Sequence, residues 1–351
     1  LLSVREVFDH SQLSSLATSI RTAAMRPDPA PIPLRDGNNR RAPASYSQTK
    51  FWLVDKASGA GDRFNLLLTV SLGRDASPDH VTQALLLVLQ RHPALRSTLE
   101  EQDGLWQVVH PLCPDWQPTL TDLRGMDAAA SRAALQRLLE EESARVRDLR
   151  CGPLFDARLV RLPKRDVLLL NVHHVATDAW SNELLVREVD QTYAAISRGR
   201  LPELPELPVQ YTDYAVWQRE CVAERLPVLA GYWETRLEGA PAVHGLPTDR
   251  SRAGVGSGRG AVVAQRIPAE VRQRLSTLLS EQRATLFIGL QAVFSALIAG
   301  WSGQEDVVIG TATANRDHPH TQHVIGAFVD TAVLRNAVRP TASFLEHLQS
   351  V

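Results

Sequence analysis

The chain has 351 residues, of which 44% are hydrophobic and 22% charged, and its formal net charge is −1. This length favours two domains or lobes, and the near-zero charge provides no single-sign field that would attract nucleic acid or an anionic membrane. No apolar run approaches the ~20 residues that cross a bilayer. The three cysteines, Cys113, Cys151 and Cys221, lack the spacing of a metal site or a disulfide framework. We therefore expect a cytoplasmic domain without a bound metal. We also expect the domain to be monomeric.

Periodicity and boundary signals predict the elements in chain order. Residues 3–21 carry apolar side chains at helical intervals, and the proline-rich stretch 24–43 is predicted as a linker. Pro78 directly after Ser77 marks a helix start. The predicted strands are 66–72, 166–174 and 306–313, the predicted helices are 78–92, 132–147, 180–197 and 284–301, and 200–210 is a loop. Strands and helices mix without strict alternation, which predicts an α/β fold with a mixed sheet.

The segment NVHHVATDAWS, residues 171–181, lies where an apolar strand ends and a helix begins. Adjacent strand residues point to opposite faces, so only one of His173 and His174 is expected to face a given cleft. The other histidine would form structural hydrogen bonds. Asp178 directly precedes the helix and is a candidate for its N-terminal cap.

Three interpretations of this segment follow from the residues alone. A metal site needs three or four convergent ligands, whereas HHxxxD supplies two or three with poor facial geometry. In the second interpretation both histidines are satisfied in the core and the aspartate only caps the helix. In the third, an imidazole at the strand end acts on a proton while Asp178 holds the local structure.

The segment HHVATDAWS resembles the HHxxxDG motif of nonribosomal peptide synthetase condensation domains, which belong to the chloramphenicol acetyltransferase-like superfamily. Four further segments resemble motifs of this family and occur in its order. They are SYSQTKFW at 45–52, RHPALRST at 91–98, YTDYAVWQ at 211–218 and IGAFVDT at 325–331. The stretch SGQEDVVIGTATANR at 302–316 is also typical of the family.

This resemblance implies an architecture of two α/β lobes arranged in a V. Residues 44–222 would form the N-terminal lobe and residues 223–351 the C-terminal lobe. The second lobe is expected to be incomplete, because two late family motifs do not appear before Val351. Residues 1–23 resemble the last helix of an upstream peptidyl carrier domain, which the linker 24–43 would join to the first lobe.

The implied reaction is amide bond formation between a donor acyl or peptidyl thioester and the amine of an acceptor aminoacyl thioester. An upstream and a downstream carrier domain would deliver the two substrates on phosphopantetheine, and an adenylation domain would be adjacent. The chain itself would carry no covalently bound cofactor. Two alternatives are a coenzyme A-dependent acyltransferase and a non-catalytic, condensation-like domain that recruits a partner.

The resemblance also assigns roles to individual residues. His174 would be catalytic, and His173 would support the site. Asp178 would form a structural ion pair with Arg96 of the RHPALRST segment. The three residues expected to line the substrate tunnel are Ala179, Trp180 and Ser181.

Two positions depart from the family pattern, because Ala179 replaces a glycine and Asp330 replaces an asparagine. Glycine is used where φ is positive or another group passes close to the backbone. Ala179 therefore keeps the non-catalytic alternative open, whereas His174, Asp178 and Arg96 argue against it.

Overall fold

The computed structural model describes residues 14, 15, 17, 18, 21, 30–35, 40–58, 64–249 and 260–351. The chain divides into two compact units. Of the described residues, those within 29–226 and 312–330 form the first unit, and those within 1–28, 227–311 and 331–351 form the second. This contact-based division falls at residues 226 and 227, close to the predicted lobe boundary at 222 and 223, and it groups residues 312–330 with the first unit. The two predicted lobes remain a prediction. Most of the predicted carrier helix at 1–23, and much of the predicted linker, lie outside the described residues.

The first unit contains most of the regular elements. In chain order they are β1 Arg41–Pro43, α1 Tyr46–Ser58, β2 Asn65–Leu72, α2 Pro78–Arg91, a 3₁₀ turn Pro93–Arg96, β3 Ser97–Glu101, β4 Leu105–Val109, β5 Thr119–Asp122, α3 Ala128–Ser143, β6 Phe155–Arg161, β7 Asp166–His173 and α4 Ala179–Ile196. Helix α5, Tyr211–Leu237, begins here and crosses the boundary at residue 227. A second 3₁₀ turn, Pro319–Thr321, lies in the returning segment.

The main sheet of the first unit has the order β2-β7-β6-β5. Strand β7 pairs antiparallel with β2 and β6, whereas β5 and β6 are parallel, so the predicted mixed sheet is confirmed. All eight residues of β7 are buried. A strand covered on both faces reads as a continuous apolar run, which explains why the sequence DVLLLNVH was recognisable as a strand.

Local signals begin the helices of this unit. The Ser77 side chain accepts a hydrogen bond from the backbone N–H of His80, and Pro78 occupies the first turn of α2, where its missing N–H has no cost. Asp127 caps α3 in the same way through Ala129 and Ala130.

A smaller sheet of order β1-β4-β3 corrects the predicted linker. Residues 41–43, the end of the predicted linker, form the strand β1, which pairs antiparallel with β4. Pro43 lacks an N–H donor and is tolerated because β1 lies at the edge of this sheet. Proline-rich composition therefore concealed a short strand.

The second unit contains fewer elements. They are α6 Ala269–Glu281, α7 Leu286–Ser302, β8 Asp306–Thr313, β9 Asp330–Ala337 and α8 Phe344–Ser350, with β8 and β9 paired in a two-stranded sheet. Among the described residues no single helix is both long and apolar enough to cross a membrane, and α6 and α7 meet those criteria only as a pair bent by 107°.

Candidate active site

His174 directly follows β7 and is held by three contacts, two of which orient its ring. The backbone N–H of His174 donates to the Phe64 carbonyl over 2.8 Å, and the imidazole stacks on Phe51 with 4.4 Å between ring centroids. Its Nδ1 lies 2.8 Å from the carbonyl oxygen of Thr177. Because a carbonyl only accepts hydrogen bonds, Nδ1 carries the proton. In the neutral ring the lone pair is therefore on Nε2, which can accept a proton or a hydrogen bond.

His173, on the other face of the strand end, is buried and cannot play the same part. Its Nδ1 accepts a hydrogen bond from the Val175 backbone N–H over 3.2 Å. Burial, with a smaller contribution from the cation Arg147, lowers the pKa of His173 to about 3. The ring is thus neutral and acts as an internal hydrogen-bonding group. The two histidines differ in burial as strand alternation predicted.

Asp178 is the N-terminal cap of α4, as the sequence predicted, and its carboxylate is fully engaged. Oδ1 accepts the backbone N–H of Ser181 over 2.7 Å. Oδ2 accepts the backbone N–H groups of Phe328 and Val329 over 2.9 and 3.2 Å. Only 3% of the side chain is exposed. A carboxylate occupied in this way fixes the loop between β7 and α4.

The ion-pair partner of Asp178 is Arg316, so the predicted pairing with Arg96 is wrong. Arg316 Nη2 lies 3.4 Å from Asp178 Oδ1 and 2.6 Å from Ser181 Oγ. The guanidinium also donates to the carbonyls of Thr321 and Val324. Burial lowers the pKa of Arg316, and the neighbouring Asp178 opposes that shift.

Arg96 lies elsewhere in the first unit. Its Nε donates to the Leu89 carbonyl over 3.1 Å, and its Nη1 donates to the His110 carbonyl. The side chain therefore ties α2 to the residue that follows β4. The sequence suggested Arg96 as the partner of Asp178 because Arg96 lies in a family motif. The actual partner, Arg316, is 138 residues away from Asp178 in the chain, and no local pattern predicts that contact.

Ser181 is fully buried, which corrects its predicted position in the lining of a tunnel. Its hydroxyl donates to the Gly326 carbonyl over 2.8 Å and accepts from the Gly326 N–H over 3.1 Å. Gly326 has to be a glycine, because a Cβ there would lie 2.0 Å from the ring of Tyr211. Ser181 and Gly326 together fix the returning segment beneath the start of α4.

Ala179 and Trp180, the first two residues of α4, are exposed. Ala179 is not among the residues with positive φ, so the backbone here does not require glycine. The Trp180 indole N–H donates to the Gln322 carbonyl over 3.1 Å, and the ring faces Arg316 with 5.8 Å to its guanidinium carbon. Both residues therefore remain available to a ligand that approaches the start of α4.

The segments that resemble family motifs contact α4 and the segment that returns at residues 325–331. The Tyr211 hydroxyl donates to the Ala327 carbonyl over 2.7 Å and so receives the proton of Ser45, 2.7 Å away. Ser47 donates to the Val329 carbonyl over 2.7 Å. His92 of the RHPALRST segment contacts Glu188 of α4 at 2.7 Å. Among the described residues no group of three or more histidine, cysteine, aspartate or glutamate side chains is arranged to hold a metal.

Comparison with known proteins identifies the family. The sequence model of the family described as "Condensation domain" matches residues 38–351, so the chain belongs to the condensation-domain family. The resemblance to condensation domains of nonribosomal peptide synthetases is thereby confirmed.

Two relatives that match this sequence are much longer than this chain. One of the linear gramicidin synthase subunits, from Brevibacillus parabrevis, is 34% identical over 359 residues, which is 100% of this chain and 5% of that protein. Phosphinothricin tripeptide synthetase PhsC of Streptomyces viridochromogenes is 38% identical over 333 residues, or 94% of this chain and 30% of that protein. A solved complex of the X-domain and OxyB from teicoplanin biosynthesis superposes with a TM-score of 0.80 and 26% identity, covering 92% of this chain and 71% of that chain.

Sequence reasoning missed three contributors to the site. Arg316 ends the stretch at 302–316 that resembles the family, so its signal was present but was not assigned a role. The Thr177 carbonyl, which fixes the His174 tautomer, is a backbone group that every residue type carries, so the sequence does not indicate its role. Phe51 lies in the opening motif, but nothing in that motif indicates a ring stacked on His174.

Proposed function

We propose that this chain catalyses amide bond formation between a donor thioester and the amine of an acceptor thioester, with His174 as the residue that contacts the amine. The observation that carries the proposal is the His174 imidazole, whose Nδ1–H is committed to the Thr177 carbonyl. This leaves the Nε2 lone pair for the acceptor, in a chain that belongs to the condensation-domain family. His173 and Asp178 support that geometry and touch no substrate.

The chemistry requires little activation. The amine nitrogen attacks the thioester carbonyl carbon and loses one proton, the C–S bond breaks, and the departing thiolate of the donor carrier takes up that proton. An α-amine has a pKa near ~8, so part of it is already neutral near pH 7. Holding both reactants in place can supply up to ~7–11 kcal/mol of the barrier in the best intramolecular cases.

The contacts of His174 define which nitrogen faces the amine. Nδ1 donates to a neutral carbonyl, whereas a carboxylate at that position would stabilise a charged imidazolium more strongly. Asp178 cannot take that role, because its oxygens accept three backbone N–H groups and the Arg316 guanidinium. We infer that His174 accepts a hydrogen bond from the amine and takes up its proton as the C–N bond forms.

The reaction class implies the partners. An upstream carrier would present the donor and a downstream carrier the acceptor, each on a phosphopantetheine arm, with an adenylation domain beside the acceptor carrier. The support for these partners is the similarity to large synthetases, of which this chain spans a small part. A cytoplasmic location follows from the same proposal, since carrier loading uses cytoplasmic substrates.

The direct test measures amide product from the intact protein with both carriers loaded. His174→Ala is expected to reduce the rate by about 10²–10⁴-fold, the usual contribution of a positioned acid or base. His174→Gln retains an oxygen that can accept a hydrogen bond but cannot take up the proton. His80→Ala, on α2, is the matched control and should retain full activity and the same melting temperature. Unchanged turnover in His174→Ala would refute the proposal.

Position 179 tests whether substrates pass the start of α4. Ala179 is exposed, so Ala179→Leu should leave the melting temperature unchanged and slow the reaction by obstructing the acceptor. Ala179→Gly restores the family residue and should be neutral or mildly activating. Equal rates for wild type and both variants would remove Ala179 from the route.

The same assays separate the alternatives. A recruitment domain would bind loaded carriers yet form no amide with any acceptor, including in the Ala179→Gly variant. A coenzyme A-dependent acyltransferase would accept the donor as its coenzyme A thioester as readily as on a carrier.

A further inference from the structure

A separate cavity of about 280 Å³ lies within the first unit. Its wall is formed by the 3₁₀ turn before β3, the residues after β4 and the residues that lead into β6. Most of the lining is apolar and includes Leu95, Leu112, Trp116, Leu154 and Phe155. Neither His174 nor any residue of the Asp178–Arg316 pair lines it. The volume suits a ligand at the small end of the usual range for binding pockets.

One cation lies in this apolar wall without an anionic partner. Arg96 lines the cavity, and its Nε and Nη1 are bound to main-chain carbonyls. Within the part of the chain that the structure describes, no carboxylate lies within 4.0 Å of its guanidinium. Burial and the nearby cation Arg40 both lower the pKa of Arg96.

A polar pair adjoins Arg96 in the same wall. Thr98 Oγ1 and His110 Nε2 are 2.7 Å apart, and both residues line the cavity. The backbone carbonyl of His110 also accepts a hydrogen bond from the Arg96 guanidinium, so His110 contacts both Arg96 and Thr98. The polar groups are therefore gathered at one side of a wall that is otherwise aliphatic and aromatic.

We propose that this cavity binds a small carboxylate with an apolar chain or ring, whose carboxylate pairs with Arg96 and whose apolar part contacts Trp116, Leu112 and Phe155. A partly buried cation in an apolar wall is costly until it is paired, and a guanidinium prefers the planar geometry of a carboxylate. A neutral ligand of the same shape would leave Arg96 uncompensated. Charge complementarity thus selects an acid over its amide.

The cavity is structurally connected to the histidine pair. The carbonyl of Leu154, in the cavity wall, accepts the backbone N–H of His173 over 2.9 Å. Phe155 pairs with Val172 in the sheet register. A ligand that displaces Leu154 or Phe155 would therefore act on the strand end that positions His174. Binding itself requires neither carrier, so it is measurable independently of amide synthesis and independently of the proposed function.

Isothermal titration of the intact protein tests the proposal with two acids, octanoate and 4-phenylbutyrate, and the primary amide of each. At least one acid is expected to bind, and its amide to bind roughly tenfold or more weakly, as for the loss of a charge-assisted hydrogen bond. Arg96→Gln should lower the affinity of the protein for the acid to its affinity for the amide. Arg74→Gln, an exposed arginine, is the control and should bind like wild type.

A second variant covers the possibility that Arg96→Gln fails to fold, since Arg96 also ties α2 to residue 110. Cys113 is exposed and lines the cavity, so Cys113→Trp should fill it without disturbing the core. Loss of acid binding in Cys113→Trp, with an unchanged melting temperature, supports the site.

The two thiols provide a readout of location. Cys113 and Cys151 both line the cavity, whereas Cys221 lies in α5. Bound acid should slow alkylation of Cys113 and Cys151 and leave Cys221 unaffected. The proposal is overturned if neither acid binds, if acid and amide bind equally to wild type, or if saturating acid protects neither cavity thiol.

Discussion

The two units of this chain bury their apolar side chains to very different extents. In the first unit one continuous core surrounds β7 and the helices beside it, with Leu85, Leu170 and Leu185 at 0% exposure. In the second unit the buried core cluster consists of Leu279, Ala292 and Leu348. The site residues belong to the well-packed unit, so the geometry of the site depends on close packing.

Helix α7 shows the contrast most clearly. Its apolar residues recur along one face and are 44–69% exposed, the members being Leu286, Phe287, Leu290, Val293, Phe294, Leu297 and Trp301. Equivalent substitutions in the two units should therefore have unequal effects on the free energy of unfolding.

The largest expected difference is between two glycines. Gly326→Ala would place a Cβ 2.0 Å from the Tyr211 ring, which is itself held by hydrogen bonds to Ser45 and Ala327. We expect a loss of more than about 3 kcal/mol of stability, because an overpacked core cannot relax there. Gly300→Ala, in α7 with no atom within 4 Å of the added Cβ, should instead stabilise by up to about 1 kcal/mol.

Chemical denaturation of both variants measures this difference. A Gly326→Ala protein with wild-type stability would show that the 325–331 segment does not pack on Tyr211 as described.

The next contrast compares two ion pairs. Arg316→Met leaves Asp178 buried without its cation, which typically costs about 3–5 kcal/mol. Arg335→Met breaks the 2.7 Å pair with Asp306 in the second unit, where solvent reaches both partners, and should have a small effect.

A double-mutant cycle identifies the true partner of Asp178. Asp178→Asn and Arg316→Met should couple, whereas Asp178→Asn and Arg96→Met should be additive. Coupling of Asp178 with Arg96 instead would restore the pairing expected from the sequence.

Two leucines provide the third contrast. Leu170→Ala, in β7 with no exposed surface, should cost about 2–5 kcal/mol. Leu297→Ala removes a side chain that is 46% exposed and should cost less than about 1 kcal/mol. Similar losses for both would mean that the apolar face of α7 is covered in solution.

The smallest effect concerns pH and is confined to the first unit. The pKa of His173 is about 3 in the folded protein against 6.5 for the free side chain, so the unfolded chain binds the additional proton. The contribution of neutral His173 to the free energy of unfolding is fully present above pH 6.5, and it is lost as the pH falls from 6.5 towards 3. Between pH 7 and pH 5 the loss is on the order of 2 kcal/mol.

Denaturation curves at several pH values measure this dependence. His173→Gln should flatten the slope between pH 7 and pH 5 even if it lowers stability overall. An equally steep slope in the variant would assign the dependence to other groups.

Local sequence signals predicted the elements that define the site. The apolar run at 166–174 and the cap at Asp178 depend on neighbours within a few residues, and the structure has them at Asp166–His173 and at the start of α4. The predicted strand at 306–313 is confirmed with the same bounds. The strand Arg41–Pro43 was predicted as part of a linker, because proline is as typical of linkers as of edge strands.

What the sequence determined by itself was the strand, the turn and the helix around the two histidines, together with the family. These features follow from side-chain alternation, capping and short motifs, which act between near neighbours. Only the tertiary structure decided that Arg316, and not Arg96, pairs with Asp178. It also decided that Ser181 faces inward and that Thr177 sets the His174 tautomer. Such contacts depend on where a segment distant in the chain packs in the folded protein, and on which backbone groups remain free to bind side chains. No local pattern of residue types predicts either feature.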